Sequence, residues 1–236
     1  MGQLDDLLAK NRAWATNIKA ADPNFFDRLS RQQAPEYLWI GCADSRVPAN
    51  QIVDLMPGEL FVHRNVANVV VHTDFNCLSV LQFAIDVLRV RHVLVVGHYG
   101  CGGVKAALLN EGFGLIGDWL RHVQDVRDLH KPVIDGLEDE QDRIDRLCEL
   151  NVVEQVSHVC RSNIVQEAWS RGQPLTVHGF VYDVADGLLR DMGLSISREQ
   201  DRERIRRESL EGLISRPVRS GRQKQAASVQ KNVTGV

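Results

Sequence analysis

Two short stretches hold the residue types that bind metals or attack carbonyl carbons: Cys42-Ala-Asp-Ser-Arg46 and His98-Tyr-Gly-Cys-Gly-Gly103. Each follows an apolar run that reads as a buried strand, Tyr37–Cys42 and His92–Gly97, so both loops belong at strand ends. Two thiolates and one imidazole form a Cys₂His donor set suited to tetrahedral zinc at roughly 2.0 to 2.3 Å. Three fixed ligands leave one corner open, which is the arrangement of a catalytic rather than a structural site. The His-x-x-Cys spacing lets both side chains of a tight turn reach one ion, and Gly100, Gly102 and Gly103 permit backbone shapes that a Cβ obstructs. The same turn can instead cradle a phosphate at a helix start, and Cys42 can act as a nucleophile activated by His98. Spacing alone leaves these three open. Taken singly, a cysteine at a strand end is more often packing, and an aspartate such as Asp44 more often caps local N–H groups.

The elements that must position these loops are readable from periodicity. Leu4, Leu7, Leu8 and Trp14 recur at helical spacing up to Ala20, where Pro23 stops the pattern. Residues 1–35 therefore form an N-terminal helical arm, suited to packing on a partner subunit. Leu60–Arg64 reads as a second strand, Asn76–Leu88 as a helix, and Pro174–Phe180 as a further β-rich run. From Gly117 to about Arg171 the chain reads as helical, apart from a break over Lys131–Gly136, and a charged helix starts near Arg198. Strands alternating with helices imply an α/β domain over 36–216: a central, mostly parallel β-sheet flanked by helices, with ligands gathered beyond the carboxyl ends of the strands. The polar tail 217–236 is expected to be loosely ordered.

Composition bounds the function without naming it. The chain has 236 residues, 44% hydrophobic and 25% charged, as an ordinary one-domain globular protein does. Its 28 basic and 31 acidic residues leave a formal net charge of only -3. That balance gives no electrostatic reason to bind nucleic acid or a membrane surface, so a small substrate is expected. The first 25 residues contain no signal-peptide core, and no stretch approaches the roughly 20 apolar residues of a membrane span, so a cytoplasmic location is expected. Five cysteines, an odd number, argue against a disulfide framework. Cys77, Cys148 and Cys160 read as small apolar fillers, and the histidines other than His98 as structural.

The strings Cys42-Ala-Asp-Ser-Arg46, Phe61-Val-His-Arg-Asn-Val-Ala-Asn68 and Gly97-His-Tyr-Gly-Cys-Gly-Gly103 closely resemble the β-class carbonic anhydrases, specifically the bacterial subgroup with a bicarbonate-regulated site. The likeness runs from about Gly2 to Ser215, and three motifs in the right order make it specific. The resemblance implies zinc held by Cys42, His98 and Cys101, and reversible hydration of carbon dioxide to bicarbonate and a proton by zinc-bound hydroxide. It implies that Asp44 either pairs with Arg46, leaving the catalyst active, or takes the fourth metal position and shuts it off. It places Gln33, reaching across from a neighbouring subunit, with Phe61, Val66, Phe83 and Gly103 at the substrate, although many relatives carry tyrosine where Phe83 stands. It assigns Trp39, Arg64 and Tyr182 to a noncatalytic bicarbonate pocket, and it implies a homo-oligomer, dimer or tetramer. Without the family these residues have ordinary readings, as core side chains, a structural cation and a tethered ring.

Two thiolates cancel the charge of a divalent ion, so such a site acidifies water less than a three-histidine one, and an alkaline-leaning activity profile is expected. Rival readings are a hydrolase of carbonyl sulfide or carbon disulfide on the same fold, a non-enzymatic zinc module closed by Asp44, and a thiol enzyme using Cys42.

Overall fold

The computed structural model describes residues 2–31, 33–112 and 114–218. Five strands form one sheet: β1 (Tyr37–Cys42), β2 (Leu60–Asn65), β3 (His92–His98), β4 (Thr176–Asp183) and β5 (Leu188–Ile196), in the order β2-β1-β3-β4-β5. The first three pairings are parallel, and β4 with β5 is antiparallel. The continuous apolar run Leu38-Trp39-Ile40 is fully buried, as expected of a strand covered on both faces. Burying a side chain such as Leu38 or Ile40 contributes about 1.5–3 kcal/mol each.

The helices are α1 (Gln3–Ala21), α2 (Phe25–Arg31), α3 (Ala49–Ile52), α4 (Phe75–Gln82), α5 (Gly102–Leu109), α6 (Leu115–Leu129), α7 (Lys131–Asp135), α8 (Glu140–Arg161), α9 (Asn163–Ser170) and α10 (Arg202–Ser215). Side chains alternate across each strand, so the sheet has two different faces. Leu38, Ile40, Val93, Val95, Val177 and Val181 point into the main core, which α8 backs with Leu147, Leu150 and Val156. Trp39, Leu60 and Val96 point the other way, into a thinner cluster with Val47, Ala49 and Tyr182.

The expected mostly parallel sheet and N-terminal helix are present, and four details differ from the sequence reading. The strand β5 was not expected, because Arg190, Asp191 and Gly193 interrupt what is a two-residue alternation of buried Met192, Leu194 and Ile196. The supposed break at Lys131–Gly136 is the short helix α7, with Pro132 in its first turn, where a missing N–H costs nothing. The helix expected over Asn76–Leu88 starts at Phe75 and widens over Phe83–Val87, where Leu88 N–H bonds the Phe83 carbonyl. The helix α2 carries no buried residue and so left no apolar stripe to read. Leu4, Leu7, Leu8 and Trp14 of α1 are exposed. Of the tail 217–236, only Pro217 and Val218 are described, Val218 being buried; the rest lies outside the described residues.

Candidate metal centre

The chain runs from β1 to β2 on one side and reaches β3 on the other, so β1 and β3 flank the point where strand order reverses. Crevices outside the carboxyl ends of strands form there. Cys42 ends β1, His98 ends β3, and Cys101 lies just before the first residue of α5. Their donor atoms all lie within 4.8 Å of one another, and all three residues are buried. The two sulfurs are 3.8 Å apart and not linked. Two sulfurs bound to one tetrahedral zinc at about 2.3 Å sit about 3.8 Å from each other.

The histidine is set for the same ion. His98 Nδ1 donates to the Tyr99 carbonyl at 3.0 Å, and its Nε2 is buried without a hydrogen-bond partner among the described residues. An imidazole with one nitrogen fixed by a carbonyl and a buried lone pair on the other has the tautomer that metal ligation requires. The residues present therefore fit a zinc ion.

Charge is arranged in the site before any ion enters. The neighbouring Cys101 thiol lowers the Cys42 thiol to about 4 against the opposing effect of burial, helped by the nearby His98 imidazole. Cys101, keeping the shared proton and deeply buried, is raised well above its ordinary value. The pair thus holds one proton, which a divalent cation displaces.

Asp44 and Arg46 follow in the same loop. Arg46 Nε donates to Asp44 Oδ1 at 3.0 Å, Nη2 to Oδ2 at 2.6 Å, and its backbone N–H to Oδ1 at 2.9 Å. Arg46 Nη2 also donates to the Gly100 carbonyl, tying the two cysteine loops together at 3.1 Å. The carboxylate nevertheless stays near the donors, Oδ2 lying 3.8 Å from His98 Nε2.

The other anticipated residues fall into groups. By strand alternation Trp39, Arg64 and Tyr182 lie on the thinly covered face, and Trp39 and Tyr182 belong to the same cluster. Trp39 is fully buried, its indole N–H has no hydrogen-bond partner among the described residues, and its Nε1 edge abuts Gly41, where a Cβ would be 2.2 Å from Nε1. Arg64 does something the sequence did not disclose: Nε donates to the Cys42 carbonyl at 2.8 Å and Nη2 to the Asp44 carbonyl at 2.5 Å, so it braces the metal loop. Val66 and Gly103 are in contact, since a Cβ on Gly103 would come 2.9 Å from Val66 Cγ1. Phe61 and Phe83 lie with ring centroids 5.9 Å apart and planes tilted by 31°, Phe83 being 43% exposed, and Gln33 is exposed between α2 and β1.

Sequence reasoning also missed the left-handed turn at Ala67 and Asn68, for which no glycine gave a signal. A second cluster, His63, Asp74 and Cys77, gathers donors within 4.8 Å. Its parts have structural work: His63 Nε2 meets the Asn65 amide at 3.2 Å, Asp74 caps α4 by accepting from Asn76 N–H at 3.0 Å, and burial pushes the Cys77 thiol up to about 12.

The carbonic anhydrase family model matches residues 37–189. With that match and the geometry above, the chain belongs to the β-class carbonic anhydrase family, enzymes of the lyase class. A carbonic anhydrase of Emericella nidulans is 47% identical over 190 residues, 80% of this chain and 83% of the relative. The Coccomyxa β-carbonic anhydrase solved with acetazolamide superposes with a TM-score of 0.82 at 45% identity, covering 85% of this chain and 91% of that one. One of two tetrameric β-carbonic anhydrases from Sordaria macrospora superposes with a TM-score of 0.77 at 37% identity, covering 82% and 98%. Fungal chains stand among these relatives, so the likeness does not single out the bacterial subgroup.

Proposed function

We propose that this carbonic anhydrase holds one zinc ion on Cys42 Sγ, His98 Nε2 and Cys101 Sγ to interconvert carbon dioxide and bicarbonate. The observation that carries the reading is a pair of unlinked sulfurs 3.8 Å apart beside an unpartnered imidazole nitrogen. Zinc bound there supplies the Lewis acidity that makes water a nucleophile near neutral pH. The residues do the rest. Two thiolate charges temper that acidity, and the Tyr99 carbonyl keeps the His98 ring in register. Val66 against Gly103 offers an apolar wall suited to an uncharged substrate, and Phe61, Phe83 and Gln33 complete the pocket across a subunit boundary.

Asp44 is the gate. Paired with Arg46, its carboxylate is kept off an ion that Cys42, His98 and Cys101 would hold; released from Arg46, it would be free to bind that ion and block the site. The 3.8 Å separation of Asp44 Oδ2 from His98 Nε2 supports a short swing between the two states. Bicarbonate bound at Trp39, Arg64 and Tyr182 favours the closed state, because Arg64 holds the backbone on both sides of the gate, at Cys42 and Asp44. A homo-oligomer is supported by the exposed apolar residues of α1 and by the tetrameric Sordaria relatives. A cytoplasmic location fits five unlinked cysteines, and among the described residues no helix is long and apolar enough to cross a membrane.

The test is stopped-flow carbon dioxide hydration with zinc analysis, run across pH with and without bicarbonate. One zinc per chain, activity lost with the metal, and inhibition by bicarbonate are expected. A metal-free protein that hydrates carbon dioxide at full rate overturns the reading.

A further inference from the structure

The segment Val66–Val70 passes the metal centre in a backbone conformation that its residues do not favour. Ala67 has φ 65° and ψ 27°, and Asn68 has φ 47°, two left-handed residues in succession. Residues carrying a Cβ keep this conformation when their surroundings impose it. The imposing contacts are identifiable. Asn65 brackets the turn, its Oδ1 accepting from Val69 N–H at 2.8 Å and its Nδ2 donating to the Val69 carbonyl at 2.7 Å. Gln155 of α8 accepts from Val70 N–H at 2.8 Å.

Two further bonds hold the peptides on either side of Ala67. Trp119 Nε1 donates to the Val66 carbonyl at 2.9 Å, which fixes the peptide carrying the Ala67 N–H. Asn151 Nδ2 donates to the Ala67 carbonyl at 2.9 Å, which fixes the next one. Asn151 is fully buried and is itself held, its Oδ1 accepting from Gln155 Nε2 at 2.9 Å one turn along α8. The turn so held touches both cysteine loops. On one side, Asn65 at the start of the turn pairs with Cys42 across β1 and β2, and its carbonyl accepts from the Ala43 N–H at 2.8 Å. On the other side, Gly103 leaves room for the turn, since an added Cβ would lie 2.9 Å from Val66 Cγ1 and 3.3 Å from Ala67 Cβ.

We propose that Trp119 and Asn151 are positioning residues for the metal centre, clamping Ala67 in the left-handed form so that the turn stays seated between Cys42 at the end of β1 and Gly103 beside Cys101. Neither reaches the donor atoms; both act through one turn of main chain. The inference rests on the reading of Cys42, His98 and Cys101 as metal ligands. Partners that orient a metal ligand from behind typically govern affinity by tenfold or more.

The experiment uses the full-length protein in two readouts besides activity: the rate of zinc release to a chelator, and the thiolate-to-metal absorption of the cobalt(II)-substituted form. Trp119→Phe removes one N–H and keeps a ring, and Asn151→Ala removes the other donor. Each is expected to release zinc about ten times faster and to shift the cobalt band. Adding Ala67→Gly to either is expected to restore most of the wild-type behaviour, because glycine holds the left-handed form without a clamp. Ile196→Ala, a buried change on β5 at the far edge of the sheet, should lower stability while leaving both readouts alone. Release rates and spectra equal to wild type in Trp119→Phe and Asn151→Ala overturn the proposal, as does failure of Ala67→Gly to rescue. Should Asn151→Ala not fold, Trp119→Phe with and without Ala67→Gly decides the matter. A wild type that takes up no zinc would instead sink the metal reading and this inference with it.

Discussion

The Arg46 guanidinium grips both oxygens of the Asp44 carboxylate, Nε to Oδ1 at 3.0 Å and Nη2 to Oδ2 at 2.6 Å. These bonds hold the Asp44 carboxyl well below the usual carboxylate range although partial burial works against them. Asp44 therefore stays ionised at mildly acid pH, and its own protonation does not set the acid limb of activity. In the proposed gate, that limb is set instead by competition between the Asp44 carboxylate and water for a metal ion held by Cys42, His98 and Cys101. Low pH favours the carboxylate, so activity is expected to rise toward alkaline pH.

Arg46→Ala removes the partner of the open state. The pair is partly exposed, so its worth is discounted to about 1 kcal/mol, or about fivefold in the balance of the two states. Carbon dioxide hydration near neutral pH should fall by that factor, and the profile should move to higher pH. A slower variant with an unmoved profile would count against the gate.

Metal removal should expose the asymmetry of the two thiols. In zinc-free protein Cys42, lowered to about 4, is the thiolate, while Cys101, Cys148 and Cys77 are held up as neutral thiols. Alkylation followed by mass spectrometry is expected to label Cys42 first, and zinc to protect it. Equal labelling of Cys42 and Cys101 contradicts the shared-proton picture.

The proposed inhibition by bicarbonate is best probed at Tyr182 rather than Arg64. Arg64→Ala also unties the Cys42 and Asp44 carbonyls, so it should loosen zinc as well as weaken inhibition. Tyr182→Phe should weaken bicarbonate inhibition severalfold with zinc content unchanged. Inhibition as strong as in the wild type argues that the anion binds elsewhere.

Glu154 supplies a stability test remote from the metal. Burial raises its carboxyl, but hydrogen bonds from His130 at 2.7 Å and Arg206 at 2.5 Å outweigh that and leave it below its ordinary 4.5. A depressed folded value gives stability that is present above pH 4.5 and is lost as pH falls through the lower folded value. Glu154→Gln should cost about 2 kcal/mol at pH 7 in denaturant titrations, with the difference shrinking in acid. A gap that stays constant down to pH 3 or so would mean the ionised carboxylate is not the stabilising form.

How much of this was legible beforehand can be judged residue by residue. Tyr37–Cys42 and His92–His98 were readable because both faces of an inner parallel strand are buried, which leaves an uninterrupted apolar run. The strand β5 was not, because half its side chains face solvent and a glycine and two charges break the alternation. The three candidate metal donors were readable as residue types in the loops that follow two apolar strand runs, β1 and β3, which lie beside the reversal of the sheet.

The sequence by itself determined which atoms are offered to an ion: two sulfurs and an imidazole, with an aspartate and an arginine two positions apart in the first loop. Only the tertiary structure decided how those atoms are aimed. Arg64 reaches the Cys42 carbonyl from 22 residues away and Asn151 reaches the Ala67 carbonyl from 84. Periodicity reports which side of an element is buried, through solvent exclusion that each residue feels locally. It carries no record of which distant polar group meets a given carbonyl, because that pairing exists only after the chain has closed on itself.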